Sequence, residues 1–297
     1  MTAETPRAQV SKGRFAGRRA LVTGGSRGIA AAICRALAAE GASVAVNFSA
    51  QADSKIGKAS AAEALVADLR AGGATAVAVE QDLMQPGGGA SLAAKAHAAL
   101  GGIDTLVLSA SIQYHLPFLR QSIAEVEEQL RINILSNIEM LQACLPDMAR
   151  DGYGRVLTVG SIQEVSPAAE MPIYSLTKAA MKNLVENLAV QAAGQGVLIN
   201  NIAPGLVETD RNAFRRSDPA AWAALQAGAN PVGRAGQPED LTELALFLLS
   251  PGNGFTTGAT IYATGGSHIP NAGGQNRPEL VLPESEGLTA PPQAAER

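Results

Sequence analysis

Tyr174 and Lys178 stand four residues apart in Ile173-Tyr174-Ser175-Leu176-Thr177-Lys178-Ala179, downstream of Ser161 in Val159-Gly160-Ser161. Residues i and i+4 share one face of a helix, so a helix here sets the phenol beside the ammonium. A cation near a phenol favours phenolate and brings the group toward useful acid/base strength. Such pairs also occur on ordinary solvated helices, so the pair needs a companion. Arg19-Ala20-Leu21-Val22-Thr23-Gly24-Gly25-Ser26-Arg27-Gly28-Ile29-Ala30 supplies one. A short apolar run, a glycine turn and an Ala/Leu-rich stretch read as strand, turn and helix. That helix N-terminus offers backbone N–H groups to a pyrophosphate, and the glycines let the backbone approach it. The next apolar run, Ser43 to Phe48, completes a β-α-β unit.

Positioning these groups requires a repeating α/β framework. Strands are expected near Ala20–Thr23, Ser43–Asn47, Ala76–Gln81, Thr105–Ser109, Arg155–Val159, Val197–Ile202 and Thr260–Tyr262. Helices begin near Arg27, Ser60, Ala90, Ile123, Ile173 and Pro238. Such alternation folds as a doubly wound parallel sheet of about seven strands, with ligands at the carboxyl ends of the strands. The Gly24–Gly28 turn, Ser109–Ser111, Ser161 and Pro204-Gly205 all fall at that edge, after strands one, four, five and six. This convergence is the main argument for a site.

Over roughly Gly17 to Gly266 the chain resembles the short-chain dehydrogenase/reductase family. Thr23 through Ala30 corresponds to its cofactor turn, Ser161, Tyr174 and Lys178 to its catalytic trio, Asn133 to its helix asparagine, and Pro204-Gly205 with Thr209 to its later motif. The resemblance implies a Rossmann-type fold and hydride transfer between a nicotinamide and a carbonyl or secondary alcohol. Tyr174 would be the acid/base, Lys178 its charge partner and ribose ligand, and Ser161 the oxyanion donor. Asn133 would hold a water leading to Lys178. The dinucleotide would lie against Gly24, Ser26, Arg27, Gly28, Ile29, Asn47, Phe48, Ser49, Asp82 and Leu83. On the other side of the switch point it would meet Ser109, Ala110, Ser111, Tyr174, Lys178, Pro204, Gly205, Val207 and Thr209. Asp82 resembles the family's adenine-contacting aspartate, and as a residue it reads equally well as a turn or cap.

Three departures stand out. Ala30 replaces the last glycine of the turn, Leu108-Ser109-Ala110-Ser111 replaces Asn-Asn-Ala-Gly, and Thr264-Gly265-Gly266 replaces Asp-Gly-Gly. The second places cofactor affinity in question and keeps open an alternative: a dinucleotide-binding sensor or scaffold without chemistry. The second strand ends in Asn47-Phe48-Ser49, with no acid until Asp53. NADP(H) is therefore expected over NAD(H), with Arg27 pairing the 2′-phosphate and Lys55 and Lys58 adding positive charge. An acid placed at Asn47 would repel that phosphate.

Gln113, Gln163 and Glu164, with Tyr114 and Met171, are expected to face the substrate. Their polarity suggests a polar ketone, polyol or sugar, or a 3-oxoacyl compound; no basic entrance for an acidic carrier is evident. His115 stands where a substrate could reach it. Trp222 is expected either over the substrate or in packing, on the long connection from Ala203 to Gln237. Cys34 and Cys144 lack neighbours at ligand spacing and read as buried thiols, and no metal site is expected. The net charge of −4 gives no reason for nucleic acid or an anionic membrane as partner. With no signal-like start and no spanning run, a soluble, cytoplasmic chain is expected.

One domain is expected over residues 17–269, with a flexible arm over 1–16 and an irregular tail over 270–297, mobile or lying across a neighbouring subunit. A helix from Ile123 to Met148 carries Val126, Leu130, Ile134, Ile138, Leu141 and Leu145; the Tyr174 helix carries Met181, Leu184, Val185 and Leu188. Family members commonly pair such helices across a twofold axis. A homotetramer is expected, with a dimer as the fallback.

Overall fold

A computed structural model describes residues 13–270. The expected tail beyond Pro270 and the first twelve residues lie outside the described residues. Seven strands alternate with nine α-helices among the described residues. In chain order they are β1 (Arg19–Val22), α1 (Gly28–Ala39), β2 (Ser43–Phe48), α2 (Ala50–Lys55), α3 (Ala61–Ala71) and β3 (Ala76–Glu80). Then come α4 (Gly88–Leu100), β4 (Thr105–Leu108), α5 (Ile123–Leu130), α6 (Ser136–Arg150), β5 (Gly154–Val159) and α7 (Pro172–Ala192). The series closes with β6 (Val197–Pro204), α8 (Pro219–Ala229), α9 (Thr242–Leu249) and β7 (Thr260–Ala263).

The strands form one parallel sheet in the order β3-β2-β1-β4-β5-β6-β7. The order reverses between β1 and β4, so a crevice opens at their carboxyl ends. β4, β5 and β6 are buried throughout, as continuous apolar runs in a sheet covered on both faces must be. One core packs α1, α3 and α9 on the sheet through Ile33, Leu37, Leu65, Leu69, Leu246 and Leu249. The other packs α4, α6 and α7 through Leu92, Ala96, Met140, Met148, Val185 and Ala189. Truncating a fully buried leucine such as Leu37 to alanine costs about 2–5 kcal/mol.

The strands fall within a residue or two of their expected positions, and three features correct the sequence reading. The arm ends earlier than residue 16: Phe15 is fully buried in the first core and its N–H donates to the Glu40 carbonyl at 2.9 Å. An aromatic side chain with a place in the core anchors the chain from there on. The helix expected from Ile123 to Met148 is broken by a π turn over Arg131–Leu135, between α5 and α6. Finally, α2 and α8 were not anticipated; Ser49 and Asp218 cap their first turns. No helix among the described residues is long and apolar enough to cross a membrane.

Candidate functional site

The carboxyl edge holds a cleft of about 930 Å³. Its floor is the β1–α1 turn. Gly24 and Gly28 have φ of 59° and 56°, the left-handed region that disfavours side chains. A Cβ on Gly24 would stand 3.2 Å from Ala110 Cα, so the two sides of the switch point meet backbone to backbone. No side chain caps α1, which leaves its N-terminal turn to whatever anion lies in the cleft. Ala30 is buried in the first core, where its methyl is accommodated.

Thr23 Oγ1 accepts the N–H groups of Ser109 at 2.9 Å and Ala110 at 3.0 Å. The loop after β4 is thus pinned to β1 through its backbone. This bond does not depend on the side chains in which Leu108 to Ser111 depart from the family pattern.

Ser161, Tyr174 and Lys178 converge on the far side of the cleft, all three nearly buried. Pro172 starts α7, a position suited to its fixed φ and missing N–H, and the helix then carries Tyr174 and Lys178 on one face. Lys178 Nζ donates to the Val159 carbonyl at 2.7 Å and lies 5.5 Å from the Tyr174 ring centroid. Burial pulls the Lys178 pKa below the usual lysine value; Tyr174 opposes the shift and the nearby Arg211 charge adds to it. Ser161 Oγ accepts the Gln163 N–H at 3.2 Å, which leaves its own proton available to the cleft.

Asn133 lies in the π turn, beneath the cleft rather than on its wall. Its Oδ1 accepts the Ile112 N–H and its Nδ2 donates to the Ile112 carbonyl, each at 2.9 Å. Nδ2 also reaches Thr177 Oγ1 at 3.1 Å. The turn therefore clamps the loop after β4 to α7. A π turn alters the backbone ladder at this point, and Asn137 Nδ2 donates to the Asn133 carbonyl at 2.8 Å.

Every expected cofactor residue lines the cleft, from Gly24, Ser26, Arg27, Gly28 and Ile29 to Val207 and Thr209. Their bonding refines several expectations. Arg27 is ion-paired with Asp53 of α2, so its guanidinium already has an anionic partner. Asn47 spends its amide on the fold: Oδ1 accepts the Gly24 N–H at 3.1 Å, and Nδ2 reaches the Val79, Phe48 and Gln81 carbonyls. An aspartate there could still accept the Gly24 N–H but would lose the donations to the three carbonyls, so Asn47 holds the tip of β2 in shape as well as leaving it without an acid. Asp82 Oδ1 accepts the Met84 N–H at 2.9 Å, a turn contact at the cleft edge.

Glu164 corrects the substrate set. It does not face the cleft; it points back under the sheet edge and accepts from the Ser161 N–H at 3.0 Å and Asn201 Nδ2 at 2.9 Å. The Ser161-to-Glu164 spacing is a capping box, and it turns the carboxylate inward. Gln113, Tyr114, Gln163 and Met171 do line the cleft. Gln163 Oε1 accepts Ser175 Oγ at 2.6 Å. Tyr114 donates to Glu128, a bond that pushes its pKa up to about 12. His115 stands on the cleft wall, with Nδ1 at 3.4 Å from Glu170 and its ring edge-on to Phe214. Trp222 is buried away from the cleft.

The short helical segment Asp210–Arg216 forms a wall that the sequence did not disclose, with Arg211, Phe214 and Arg215 on the cleft. The expectation of no basic entrance is thereby corrected, because the fold brings Arg211 and Arg215 onto the cleft. The signal lay in Thr209-Asp210-Arg211, directly after the Pro-Gly motif. Cys34 and Cys144 are free and buried in opposite cores.

A doubly wound sheet, a glycine turn at its switch point and a Ser/Tyr/Lys cluster in the same cleft define a dinucleotide-dependent oxidoreductase. The family model described as enoyl-(acyl carrier protein) reductase matches residues 24–268. The L-rhamnose 1-dehydrogenase (NAD(P)(+)) of Sphingomonas sp. (strain SKA58) is 32% identical over 254 residues, 85% of this chain and 97% of that protein. The 3-oxoacyl-[acyl-carrier-protein] reductase of Aquifex aeolicus is 30% identical, over 85% of this chain and 98% of its own. A crystal structure of a 3-oxoacyl (acyl-carrier-protein) reductase from Agrobacterium tumefaciens C58, with NADP bound, is 39% identical with a TM-score of 0.80, covering 87% of this chain and 98% of that one. The chain belongs to the short-chain dehydrogenase/reductase family, and is by that membership an NAD(P)-dependent oxidoreductase.

Proposed function

We propose that the protein interconverts a carbonyl and a secondary alcohol with NADP(H) as the preferred cofactor, and that Tyr174 moves the proton. The carrying observation is the placement of Ser161, Tyr174 and Lys178 in one cleft with the glycine turn. The residues fit a dinucleotide. The left-handed glycines Gly24 and Gly28 shape the turn under the cleft, and the uncapped start of α1 suits the cofactor's phosphates. When bound, the nicotinamide supplies or accepts the hydride.

In reduction, Tyr174 donates its hydroxyl proton to the oxygen of the forming alcohol; in oxidation it takes that proton back. The Lys178 ammonium beside the ring favours negative charge on the phenol oxygen as the proton leaves. On cofactor binding Lys178 is the side chain placed to exchange its bond to the Val159 carbonyl for ribose hydroxyls. Ser161 donates to the substrate oxygen, where a preorganised donor acts on developing charge. Asn133 positions α7 through Thr177 and the loop through Ile112, in addition to any bridging water.

The preference for NADP(H) is supported by the missing acid at the tip of β2, by Arg27 on the cleft and by the NADP-bound relative. Asp53 moderates it, so NAD(H) remains usable. The substrate class supported by Gln113, Gln163, Tyr114 and His115 is a polar ketone, ketose or 3-oxoacyl compound. The assembly proposed is a homotetramer, with a dimer as the alternative. Val126, Leu130, Ile134, Ile138, Leu145, Leu184 and Leu188 are only half-buried in the single chain, which leaves them apolar surface for a second copy. Initial rates of NADPH oxidation with ketones, ketoses and 3-oxoacyl thioesters test the proposal. Turnover of one class supports it; tight NADPH binding with no turnover of any class refutes it in favour of a sensor.

A further inference from the structure

The segment Asp210–Arg216 carries three arginines, and their partners differ. Arg215 stands 3.9 Å from Glu170, and Arg216 stands 3.6 Å from Glu208. Arg211 has no carboxylate within ion-pair distance among the described residues. Its Nη1 reaches Ser111 Oγ at 3.1 Å and Gln113 Oε1 at 3.5 Å; its Nη2 reaches the Ser111 carbonyl at 2.7 Å and Oγ at 3.1 Å. All of these acceptors are neutral. They hold the guanidinium across the cleft mouth and leave its charge uncompensated. The bond to Gln113 is at the limit of useful length, and the Ser111 hydroxyl can rotate, so both yield readily to a better acceptor.

The position of that charge matters. Arg211 lines the same cleft as Tyr174, and its field is felt at Lys178. Ser111 occupies a place where the family pattern has glycine, and its hydroxyl is one of the anchors of Arg211. The two residues therefore act as one device: a serine on the loop after β4 latches an arginine from the opposite wall. A guanidinium held this way presents a planar fork that matches carboxylate or phosphate oxygens two-pronged, and an anionic acceptor adds the charge neutralisation that Ser111 and Gln113 do not supply.

We propose that Arg211 binds an anionic oxygen group on the substrate, a carboxylate or phosphate carried on the chain of the ketone or alcohol. The inference rests on the carbonyl-reductase reading and narrows its substrate class from polar ketones to acidic ones. The rival claimant for Arg211 is the cofactor's own pyrophosphate, which shares the cleft.

The test compares matched pairs with NADPH as reductant: acetoacetate, 4-oxopentanoate and 5-oxohexanoate against their methyl esters, and dihydroxyacetone phosphate against dihydroxyacetone. The charged member of at least one pair is expected to be preferred by about tenfold or more in kcat/KM, and Arg211→Gln is expected to bring that ratio toward one. A preference for acids alone assigns a carboxylate; a preference for the phosphate alone assigns a phosphate. The proposal is overturned if no charged substrate is preferred, if Arg211→Gln leaves the ratio unchanged, or if the variant weakens NADPH binding by about tenfold, which gives Arg211 to the cofactor. Arg211 is exposed, so the variant is expected to fold; its melting temperature checks this. If no compound is turned over, the function reading fails and binding decides this one. With NADP+ present, 4-oxopentanoate or dihydroxyacetone phosphate should then raise the melting temperature of the parent but not of Arg211→Gln. Absence of a rise in the parent overturns the proposal.

Discussion

Neutralising Asp53 should sharpen the choice of cofactor. Asp53 is 2% exposed; one carboxylate oxygen meets Arg27, and the other has no partner. A 2′-phosphate bound at Arg27 must share that guanidinium with Asp53. Two anions on either side of one guanidinium stand about 7 Å apart, and at an effective dielectric of about 20 they repel by about 2 kcal/mol. The intervening arginine screens part of this, leaving about 1–2 kcal/mol. Asp53→Asn keeps the shape and removes the charge. The variant should bind NADPH about tenfold more tightly with NADH changed by less than about threefold, because NADH presents no phosphate there. Fluorescence titration of both cofactors, at fixed ionic strength, measures the ratio. A ratio that stays constant or falls would refute the account of Arg27 and Asp53 as opposing halves of the cofactor selector.

Further outcomes follow from other residues. Glu164→Ala should lower stability by about 2–4 kcal/mol in urea unfolding, because Asn201 loses its buried acceptor, while NADPH affinity stays close to that of the parent. A large loss of affinity with unchanged stability would return Glu164 to the site. The proposed mechanism needs Lys178 in its charged form, and burial, with the Arg211 charge adding to it, sets its pKa below the ordinary lysine value. Activity should therefore fall as pH rises through that lowered value. The alkaline limb of kcat/KM should move to higher pH in Arg211→Gln; an unmoved limb would contradict the coupling. Light scattering should give a tetramer, or at least a dimer, at micromolar concentration, and Ile138→Arg should shift it toward monomer. A monomeric parent would reject the helix-pair interface.

Much of this architecture was legible because a buried parallel sheet writes its strands as apolar runs. Thr105–Leu108 and Val197–Pro204 could be read directly, and the motifs at their ends then fell on one edge. Spacing also announced the Tyr174 and Lys178 pair. Features set by side-chain direction were less visible. Ser161 and Glu164 have capping-box spacing, which was the available sign that Glu164 turns inward. Asp218 followed by Pro219 likewise marked the start of α8. The Arg27–Asp53 and Ser111–Arg211 contacts join residues far apart in the chain, on elements whose relative placement only the fold supplies. The same holds for Phe15, whose burial depends on the groove beside α1 rather than on its polar neighbours.

The central claim is that Tyr174 carries the proton in a hydride-transfer site. It is tested most directly by Tyr174→Phe, assayed with the best ketone found for the parent, alongside NADPH binding to both proteins. The account predicts a fall in turnover of about 10²- to 10⁴-fold, the usual worth of a positioned acid, with NADPH affinity within about threefold of the parent. Turnover within a few-fold of the parent would contradict it.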